Sequence, residues 1–373
     1  MTAAANGVDR SKYVPFMRRA IALAQKGAGR TSPNPVVGAV VVKGGRVVGE
    51  GYHRRAGGPH AEAIALRRAG PRARGATLVV TLEPCCHEGR TPPCVEAIAG
   101  AGVSRVVVGA RDPNPLVDGR GIAWLRRRGI EVVAGVLGSE CRAQNVHYEK
   151  YITTGRPFVT AKVAVSLDGK IAAQSGESRW ISNADARRYA HELRARHDAV
   201  MVGVGTAVAD DPRLTVRLPG RREAARRAIV VDTTLRVPDG LKLLKRAPGE
   251  LVILTTTNAP AVRRDALRKR GHDLVVTEPA GDGRVRLREA LVELGRMGVC
   301  SILVEGGGRL LSALAKEGLI DRMAVCVAPK FLGGAGLDML PDLRIDGMDG
   351  SMGLGDVGFR AFGDNVVVEG SCG

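Results

Sequence analysis

The sequence predicts an α/β protein built from two domains. Apolar segments of strand length alternate with amphipathic segments of helix length along the chain, a pattern typical of sheets covered by helices. The 373 residues are more than one ordinary hydrophobic core holds. The tripeptide Gly155-Arg156-Pro157 is typical of a turn and separates two such series of segments. We therefore predict one domain at residues 1–154 and a second at residues 155–373.

The first series predicts a three-layer α/β sandwich. A helix over Ser11–Lys26 precedes two strands at Val36–Val42 and Arg46–Gly51, and the connecting Lys43-Gly44-Gly45 indicates a hairpin. Helices are then predicted at 60–69 and after Thr91, which is a candidate N-cap before two prolines. The other predicted elements are strands at 76–82, 105–109 and 131–136 and helices at 121–128 and 139–153.

The second series predicts another sheet covered by helices. It begins with a strand at Phe158–Ser166, and a helix follows that ends at Arg196 and is capped by Ser182 or Asn183. The basic stretch Leu218–Arg227 has no apolar period and is predicted to be exposed. Further strands are predicted at 198–202, 228–232, 251–255, 273–277, 301–305 and 322–328, with a last edge strand at 366–368.

Metal-binding residue types cluster in the first half of the chain. His60, Cys85 and Cys94 offer the imidazole nitrogen and thiolate sulfur that zinc prefers, and three protein ligands leave a fourth position for water. Glu62 lies two residues beyond His60, where a carboxylate can take a proton from water and pass it to a leaving group. Because Cys94 falls in the first turn of a predicted helix, we expect the helix N-terminus to favour its thiolate.

Two kinds of zinc site fit these residues. A structural site would be closed by a fourth ligand, for which Cys86 and His87 are candidates, and would belong to a binding protein without activity. A catalytic site is favoured by His-Ala-Glu followed by a strand and Pro-Cys, because zinc-dependent base and nucleoside deaminases carry H-x-E followed by P-C-x-x-C. The chain departs from that motif, since eight residues separate Cys85 from Cys94 where the motif has two.

This longer spacing resembles one family. The strings CCHEGRTPPC at 85–94 and SPNPVVG at 32–38 resemble the deaminase half of the bifunctional riboflavin-biosynthesis deaminase–reductases. The resemblance implies a cytidine-deaminase-like sandwich in which the three donors bind Zn²⁺, Glu62 transfers the proton and Cys86 is a bystander. Without the family, Asn34 is equally typical of a turn residue. The residues that the resemblance places beside the substrate are Asn34, His53 and His87.

In the second half, a strand, a glycine turn and a helix are predicted at Leu303–Leu310 (LVEGGGRL). Glycines let a backbone approach a phosphate, and a helix N-terminus supplies unpaired N–H groups and positive potential. Consecutive glycines are equally typical of a tight strand-to-helix turn without a ligand. The sequence is not the spaced G-x-G-x-x-G of a Rossmann unit, which argues against a domain of that kind.

The second half resembles the reductase half of the same family, through VSLDGK at 165–170, GESRWI at 176–181, ADDP at 209–212 and the Glu305 glycine turn. The resemblance implies a dihydrofolate-reductase-like fold that uses NADPH. The implied NADPH contacts are Ala164, Trp180, Thr206, Asp210, Thr233, Gly307, Gly308, Arg309, Leu310, Leu311, Ser312 and Ala313, with Thr234 as an alternative to Thr233. The implied substrate contacts are Ser178, Arg194, Leu214, Arg217 and Glu305. Taken singly, Trp180 is more typical of a core residue, and each arginine of a solvated surface. Arg194 and Arg217 can each offer a fork of donors to a sugar phosphate.

The composition indicates which classes of binding partner to expect. The net charge is +18, but the arginines are scattered and the aromatic content is 3%, which leaves few platforms for stacking bases. We expect a phosphorylated pyrimidine substrate and no nucleic-acid or membrane partner, because no apolar run approaches the roughly 18 residues of a membrane helix. Seven cysteines, three of them in a metal-type cluster, favour a reducing cytoplasm. The sequence leaves homo-oligomer formation open.

The resemblance implies two reactions. The first domain is expected to deaminate 2,5-diamino-6-ribosylamino-4(3H)-pyrimidinone 5′-phosphate by hydrolysis. The second domain is expected to reduce the ribosyl side chain of the product to ribityl with NADPH. The alternative enzyme is a nucleoside or RNA base deaminase with an accessory domain.

Overall fold

The computed structural model describes residues 9–88, 92–220 and 223–372. The chain divides into two compact units, residues 1–154 and residues 155–373. The predicted N-cap Thr91, and Arg221 and Arg222 of the basic stretch, lie outside the described residues. Within the described residues, no helix combines the length and the apolar character that crossing a membrane requires.

The first unit is a five-stranded sheet with helices on both faces, in the strand order β2-β1-β3-β4-β5. Strands β1 and β2 form the predicted hairpin, β1 is antiparallel to β3, and β3, β4 and β5 are parallel. The strands are β1 Gly38–Lys43, β2 Arg46–Tyr52, β3 Thr77–Leu82, β4 Arg105–Ala110 and β5 Glu131–Ala134. The helices are α1 Val14–Gln25, α2 Ala61–Ala69, α3 Cys94–Gly100, α4 Arg120–Arg127, α5 Gly138–Ala143 and α6 Val146–Thr154.

Two apolar clusters cover the two faces of this sheet. One joins α2, α3 and α4 to the face that carries Val41, Leu78 and Val106. The other joins α1, α5 and α6 to the face that carries Val40 and Val79. Because successive residues of a strand point to opposite faces, Val40 and Val41 belong to different clusters. The predicted three-layer sandwich is thereby confirmed.

One predicted helix of the first unit is wrong. The expected single helix at 139–153 is divided into α5 and α6 by a break at Gln144-Asn145. At the break, the Asn145 side chain accepts a hydrogen bond from the Val36 N–H at 2.8 Å and donates one to the Val36 carbonyl at 3.0 Å. These bonds to a distant segment cannot be read from a helical pattern.

The second unit contains a nine-stranded sheet in the order β11-β10-β9-β8-β12-β6-β13-β16-β15. All neighbours from β11 to β13 are parallel, and β16 and β15 add two antiparallel strands at one side. The long strands are β6 Phe158–Ser166, β8 Ala199–Gly203, β9 Arg227–Val231, β10 Leu251–Thr256, β11 Asp273–Thr277, β12 Ser301–Glu305, β13 Arg322–Ala328, β15 Leu354–Phe362 and β16 Asn365–Cys372. A separate two-stranded sheet pairs β7 Lys170–Ala172 with β14 Leu337–Asp338.

The helices of this unit are α7 Ala184–Arg196, α8 Val204–Asp210, α9 Ala261–Lys269, α10 Leu287–Arg296 and α11 Gly308–Lys316. Asn183 is the cap of α7, because its side chain accepts a hydrogen bond from the Ala186 N–H at 2.9 Å. Cys300 and Cys326, like Cys141 of the first unit, are buried as expected. Cys372 lies in β16 rather than in a tail.

The prediction of a last edge strand at 366–368 is wrong in one respect. These residues lie in β16, which is paired on both sides, and the edge strand is β15. The residues of β15 (LGDVGFRAF) mix two glycines with charged residues and show no regular alternation. The parallel strands β6, β8, β9, β10 and β12 all end at the same side of the sheet, where ligands of open α/β sheets usually bind.

Candidate active sites

Three metal-binding side chains meet in the first unit. His60 is the N-cap of α2, which begins one residue later than predicted. Cys85 follows β3, and Cys94 is the first residue of α3. Their ligand atoms all lie within 4.8 Å of one another. The His60 Nδ1 atom is 3.2 Å from the Cys94 Sγ atom and 3.5 Å from the Cys85 Sγ atom. One imidazole and two sulfurs are a donor set that suits zinc.

Within the described part of the chain, neither Cys86 nor His87 belongs to this group of three. Cys86 instead lies 3.9 Å from the Leu116 carbonyl, and burial raises the pKa of its thiol. The geometry therefore provides three protein ligands and not the four of a closed structural site.

The two cysteines differ in acidity. The pKa of Cys85 is lowered to about 4, first because the Cys94 thiol donates to its sulfur, and also because of His60 and the Cys94 N–H, whose nitrogen is 3.3 Å away. The pKa of Cys94 is raised, because it is this donor and because it is buried. The first N–H of α3, that of Cys94, is directed at the Cys85 sulfur, so the start of this helix stabilises the Cys85 thiolate.

Glu62 lies in the first turn of α2 and is 3% exposed. Burial, followed by the nearby Cys85, raises the pKa of its carboxyl group to about 7. A group with this pKa can both accept and donate a proton near neutral pH.

A cavity of about 330 Å³ opens beside these residues. Asn34, His53 and His87, which are predicted to lie near the substrate, line it. The Asn34 Nδ2 atom is 3.1 Å from the Nε2 atom of His53, and the Nδ1 atom of His53 is 3.1 Å from the Pro59 carbonyl. A carbonyl only accepts, so Nδ1 carries the proton and Nε2 accepts from Asn34. Burial lowers the pKa of His53, which favours this neutral ring. The Nδ1 atom of His87 is buried and has no partner among the described residues.

The cavity also contains polar residues that the sequence motifs did not indicate. Asp112 is buried, which raises the pKa of its carboxyl group to about 6, and it accepts a hydrogen bond from the Tyr148 hydroxyl at 3.0 Å. Glu83 is buried and accepts hydrogen bonds from the N–H groups of Asp112, Gly119 and Ile122 at 3.0–3.3 Å. Their positions gave a sequence signal, because Glu83 directly follows β3 and Asp112 lies two residues after the end of β4, which is parallel to β3. The missed residues that line the cavity are Glu83, Asp112, Asn114, Tyr148 and Tyr151.

In the second unit, a smaller cavity of about 210 Å³ contains Ser178 and Trp180. Trp180 is 62% exposed, so it is not the core residue that it resembles when taken singly. The guanidinium of Arg187 lies 4.5 Å from the centre of its ring. Asp210 ends α8, and its carbonyl accepts a hydrogen bond from the Arg179 side chain at 2.9 Å.

The predicted substrate residues Arg194 and Glu305 bind each other. The Nε and Nη2 atoms of Arg194 donate to the two carboxylate oxygens of Glu305 at 2.7 and 2.6 Å, and its Nη1 atom donates to the Thr215 carbonyl at 2.8 Å. The fork of Arg194 is thus occupied by a carboxylate. Arg217 is exposed and contacts the Thr215 hydroxyl at 3.2 Å. The Leu214 side chain is buried in an apolar cluster, which leaves its backbone for contacts.

The glycine turn is built as predicted. Gly306 and Gly307 have φ values of 72° and 79°, which side chains rarely adopt. A Cβ atom on Gly307 would lie 3.1 Å from the Thr206 hydroxyl, so Thr206 adjoins the turn. The first turn of α11 has no side-chain cap.

Most of the other residues predicted to contact NADPH have side chains that are buried or packed against the protein. The Leu310, Leu311 and Ser312 side chains are buried, whereas Arg309 is exposed. Ala164 packs against the cluster that includes α7, and the Thr233 carbonyl accepts hydrogen bonds from Thr255 and Thr256. The remaining predicted contacts are Gly308, which is buried, and Ala313, which is partly buried.

Comparisons with known proteins cover both units. The family described as the cytidine and deoxycytidylate deaminase zinc-binding region matches residues 10–110, and the RibD C-terminal domain matches residues 157–368. The riboflavin biosynthesis protein RibD of Aquifex aeolicus is 42% identical over 354 residues, which are 95% of this chain and 96% of the relative.

Solved structures agree. RibD of Acinetobacter baumannii is 36% identical with a TM-score of 0.88, over 98% of this chain and 100% of that chain. A Thermotoga maritima protein, named as a diaminohydroxyphosphoribosylaminopyrimidine deaminase/5-amino-6-(5-phosphoribosylamino)uracil reductase, is 35% identical with a TM-score of 0.83, over 98% and 99% of the two chains. These matches do not favour the alternative of a nucleoside or RNA base deaminase.

The predicted fold classes, two activities and two cofactors, zinc and NADPH, are confirmed by these relatives. The chain belongs to the RibD family of riboflavin biosynthesis proteins and is a bifunctional deaminase and reductase.

Proposed function

We propose that residues 1–154 carry out the deamination and residues 155–373 the reduction. The metal-type cluster and Glu62 support the first assignment, and the glycine turn at the carboxyl ends of parallel strands supports the second. The two activities named for the Thermotoga maritima relative indicate the substrate class. The proposed substrate is 2,5-diamino-6-ribosylamino-4(3H)-pyrimidinone 5′-phosphate, and its deamination product is the substrate of the reduction.

His60, Cys85 and Cys94 are the proposed zinc ligands. The observation that carries this assignment is a group of three soft donors within 4.8 Å, next to a buried carboxylic acid and a cavity. Zinc, when bound, supplies the Lewis acidity that makes hydroxide available near neutral pH.

Glu62 is the proposed proton carrier of the deamination. Its pKa of about 7 lets it take a proton from the attacking water and give it to the departing amine. A C–O bond forms at the amino-bearing ring carbon, the C–N bond breaks and ammonia leaves.

Three further residues of this cavity orient the pyrimidine in our proposal. Because the Asn34 amide nitrogen binds His53, the amide oxygen is the acceptor that we assign to a substrate amino group. The His87 Nδ1 atom is buried and has no partner among the described residues. Because buried polar atoms are usually hydrogen-bonded, we assign to it a hydrogen bond with the substrate.

In the second unit, NADPH supplies a hydride when bound, and the chain orients it. We assign its contacts to Trp180, Thr206, Asp210, Thr233, Ala164 and the turn from Gly307 to Ala313. The N–H groups at the start of a helix lack partners within the helix and suit the pyrophosphate. On the substrate side, we assign the phosphate to the exposed Arg217, because Glu305 occupies Arg194. Arg194 then holds Glu305 in place as an acceptor for a ribose hydroxyl, beside Ser178 and the Leu214 backbone.

The test is to incubate the purified protein with the diaminopyrimidine phosphate and identify the products by mass spectrometry. Without NADPH we expect ammonia and the ribosylamino-uracil, and with NADPH the ribityl product. Glu62→Gln should keep its zinc, lose roughly 10²–10⁴-fold in ammonia release, and still reduce the deaminated substrate.

Glu96→Gln is the matched control, because Glu96 is an exposed acid in the first turn of the neighbouring helix α3. It should deaminate like the wild type. Full ammonia release by Glu62→Gln would remove Glu62 from the mechanism.

We further propose a cytoplasmic enzyme with a small-molecule substrate, without nucleic-acid or membrane partners. The grouping of cysteines in a metal-type cluster supports a reducing compartment. We also propose a homo-oligomer that forms through β15. This edge strand exposes Phe359 (70%) and Val357 (45%), and exposed strands with apolar side chains commonly pair with another chain.

A further inference from the structure

The turn between β6 and β7 contains a carboxylate with several partners. Asp168 accepts a hydrogen bond from the Ser166 hydroxyl at 2.5 Å, from the Leu332 N–H at 3.1 Å and from the Gly333 N–H at 2.8 Å. The Ser166 bond, followed by these backbone bonds, lowers the pKa of Asp168 to about 2, so the group is a carboxylate at neutral pH. Leu332 and Gly333 lie 164 and 165 residues further along the chain, so Asp168 joins two distant segments.

The second of these segments, the loop at residues 330–333, contacts Trp180 through the Lys330 side chain. The Lys330 ammonium donates to the Trp180 carbonyl at 2.7 Å, and the Lys330 carbonyl accepts from the Leu167 N–H at 2.7 Å. Ser166, Trp180, Lys330 and Leu332 all line the 210 Å³ cavity. Two of the three partners of Asp168, Ser166 and Leu332, therefore line that cavity, whereas Asp168 itself does not.

The loop depends on these contacts for its position. Residues 330–333 belong to no helix or strand, and only Pro329 separates them from the end of β13. Their N–H groups need acceptors, and a carboxylate is a stronger acceptor than water or a neutral group. Without Asp168, the loop would keep its connection to β13 but lose the side-chain anchor that holds Leu332 and Gly333.

We infer that Asp168 is a positioning residue for the reductase reaction, which acts through the 330–333 loop and Lys330 on Trp180. The inference rests on the proposed function, because it assumes that the Trp180 cavity binds the nicotinamide cofactor. It assigns to Asp168 no contact with substrate or cofactor.

NADPH binding is the direct test, read from tryptophan fluorescence. The chain has two tryptophans, so a Trp124→Phe background leaves Trp180 as the single indole. In this background, Asp168→Ala and Lys330→Met should each weaken NADPH binding by roughly tenfold, the size expected for a hydrogen bond to a charged group. Asp168→Asn, which keeps one acceptor oxygen, should fall between Asp168→Ala and the parent. Turnover at saturating NADPH should change less than the KM for NADPH.

The double variant distinguishes positioning from a general loss of structure. If Asp168 acts through Lys330, the double variant should bind NADPH no more than about twofold more weakly than Asp168→Ala, since two groups on one path are not additive. Ammonia release, which occurs in the other unit, should stay at the parent level. Asp265→Ala is the control, because Asp265 is an exposed acid of α9 whose ion pair is with Arg268 of the same helix.

Parent-like NADPH affinity in Asp168→Ala, or full additivity in the double variant, would overturn the inference. If Asp168→Ala does not fold, Lys330→Met decides alone, and parent-like affinity in that variant overturns it. Failure of the parent itself to bind NADPH would instead refute the proposed function of the second unit.

Discussion

At the scale of single residues, Cys86 is a natural control for the two cysteines among the metal donors. Cys85 and Cys94 lie in the donor group, whereas Cys86, between them in sequence, lies against the Leu116 carbonyl. We expect Cys85→Ser and Cys94→Ser to lower zinc affinity by more than the roughly tenfold that even outer partners of a metal ligand cost. Cys86→Ser should keep a full zinc content. Metal analysis after dialysis against a weak chelator measures all three, and zinc loss in Cys86→Ser alone would refute the assignment.

A buried histidine predicts how the second unit responds to acid. The Nδ1 atom of His197 is 2.7 Å from the Leu193 carbonyl, and its Nε2 atom is 2.8 Å from the Thr160 hydroxyl. The carbonyl requires a proton on Nδ1, and in the neutral ring the Nε2 atom accepts a hydrogen bond from the Thr160 hydroxyl. Burial lowers the pKa of His197 to about 4, compared with an ordinary value near 6.5.

Because the folded pKa lies below the unfolded pKa, the unfolded chain binds more protons between pH 6.5 and pH 4. As the pH is lowered through this window, the free energy of unfolding should therefore decrease. His197 should account for up to about 3 kcal/mol of this decrease. His197→Asn should be less stable at pH 7 but should lack this part of the decline. Urea unfolding of both proteins between pH 7 and pH 4 measures it, and parallel pH profiles would contradict the prediction.

The role of a residue could be predicted where a local sequence motif indicates it. It could not be predicted where the role depends on contacts between distant segments. The zinc donors and Glu62 follow from short strings in the sequence. The pairing of Arg194 with Glu305 joins residues 111 positions apart, so the sequence suggested a free fork where the structure has an ion pair. Glu83 and Asp112 were missed because their burial is a tertiary property.

At the scale of elements, the helix α4 approaches the metal-binding segment at one glycine. A Cβ atom on Gly121 would lie 2.1 Å from the Pro84 carbonyl, one residue before Cys85. Gly121→Ala should therefore displace α4 or this segment, with a cost of about 1–3 kcal/mol in unfolding free energy. Zinc retention and ammonia release should fall as well. Thermal unfolding and metal analysis test this.

The matched control is Gly100→Ala at the end of α3, since a Cβ atom built there meets no other part of the described chain within 4 Å. This variant should be as stable as the wild type or slightly more stable, because alanine favours a helix. If both variants behave alike, the close approach of α4 is not what restrains the segment.

Elements with a strong apolar period were predictable, and their interruptions were not. The strands β3, β4, β6, β12 and β13 lie within a residue or two of their predicted ranges. The break between α5 and α6 escaped prediction because it serves a contact with Val36. The short helix α8 and the strands β7, β14 and β15 offer too few apolar residues in period.

At the scale of the whole molecule, each unit has apolar clusters of its own. A fragment of residues 1–154 should therefore fold and release ammonia from the diaminopyrimidine phosphate, but should not oxidise NADPH. Circular dichroism establishes folding, and ammonia and absorbance assays measure the two activities. A folded fragment with zinc but no ammonia release would show that the division of labour is wrong.

The edge strand β15 contains a bulge, which affects how it could pair with another chain. The pairing of β15 with β16 shifts register between Gly355 and Gly358, where Asp356 adopts a φ of 47°. Only the second half of the strand, Gly358–Phe362, therefore presents a regular row of backbone groups to a neighbour. In the proposed homo-oligomer, a template this short would let two copies dock but would discourage the stacking of strand upon strand that leads to fibrils.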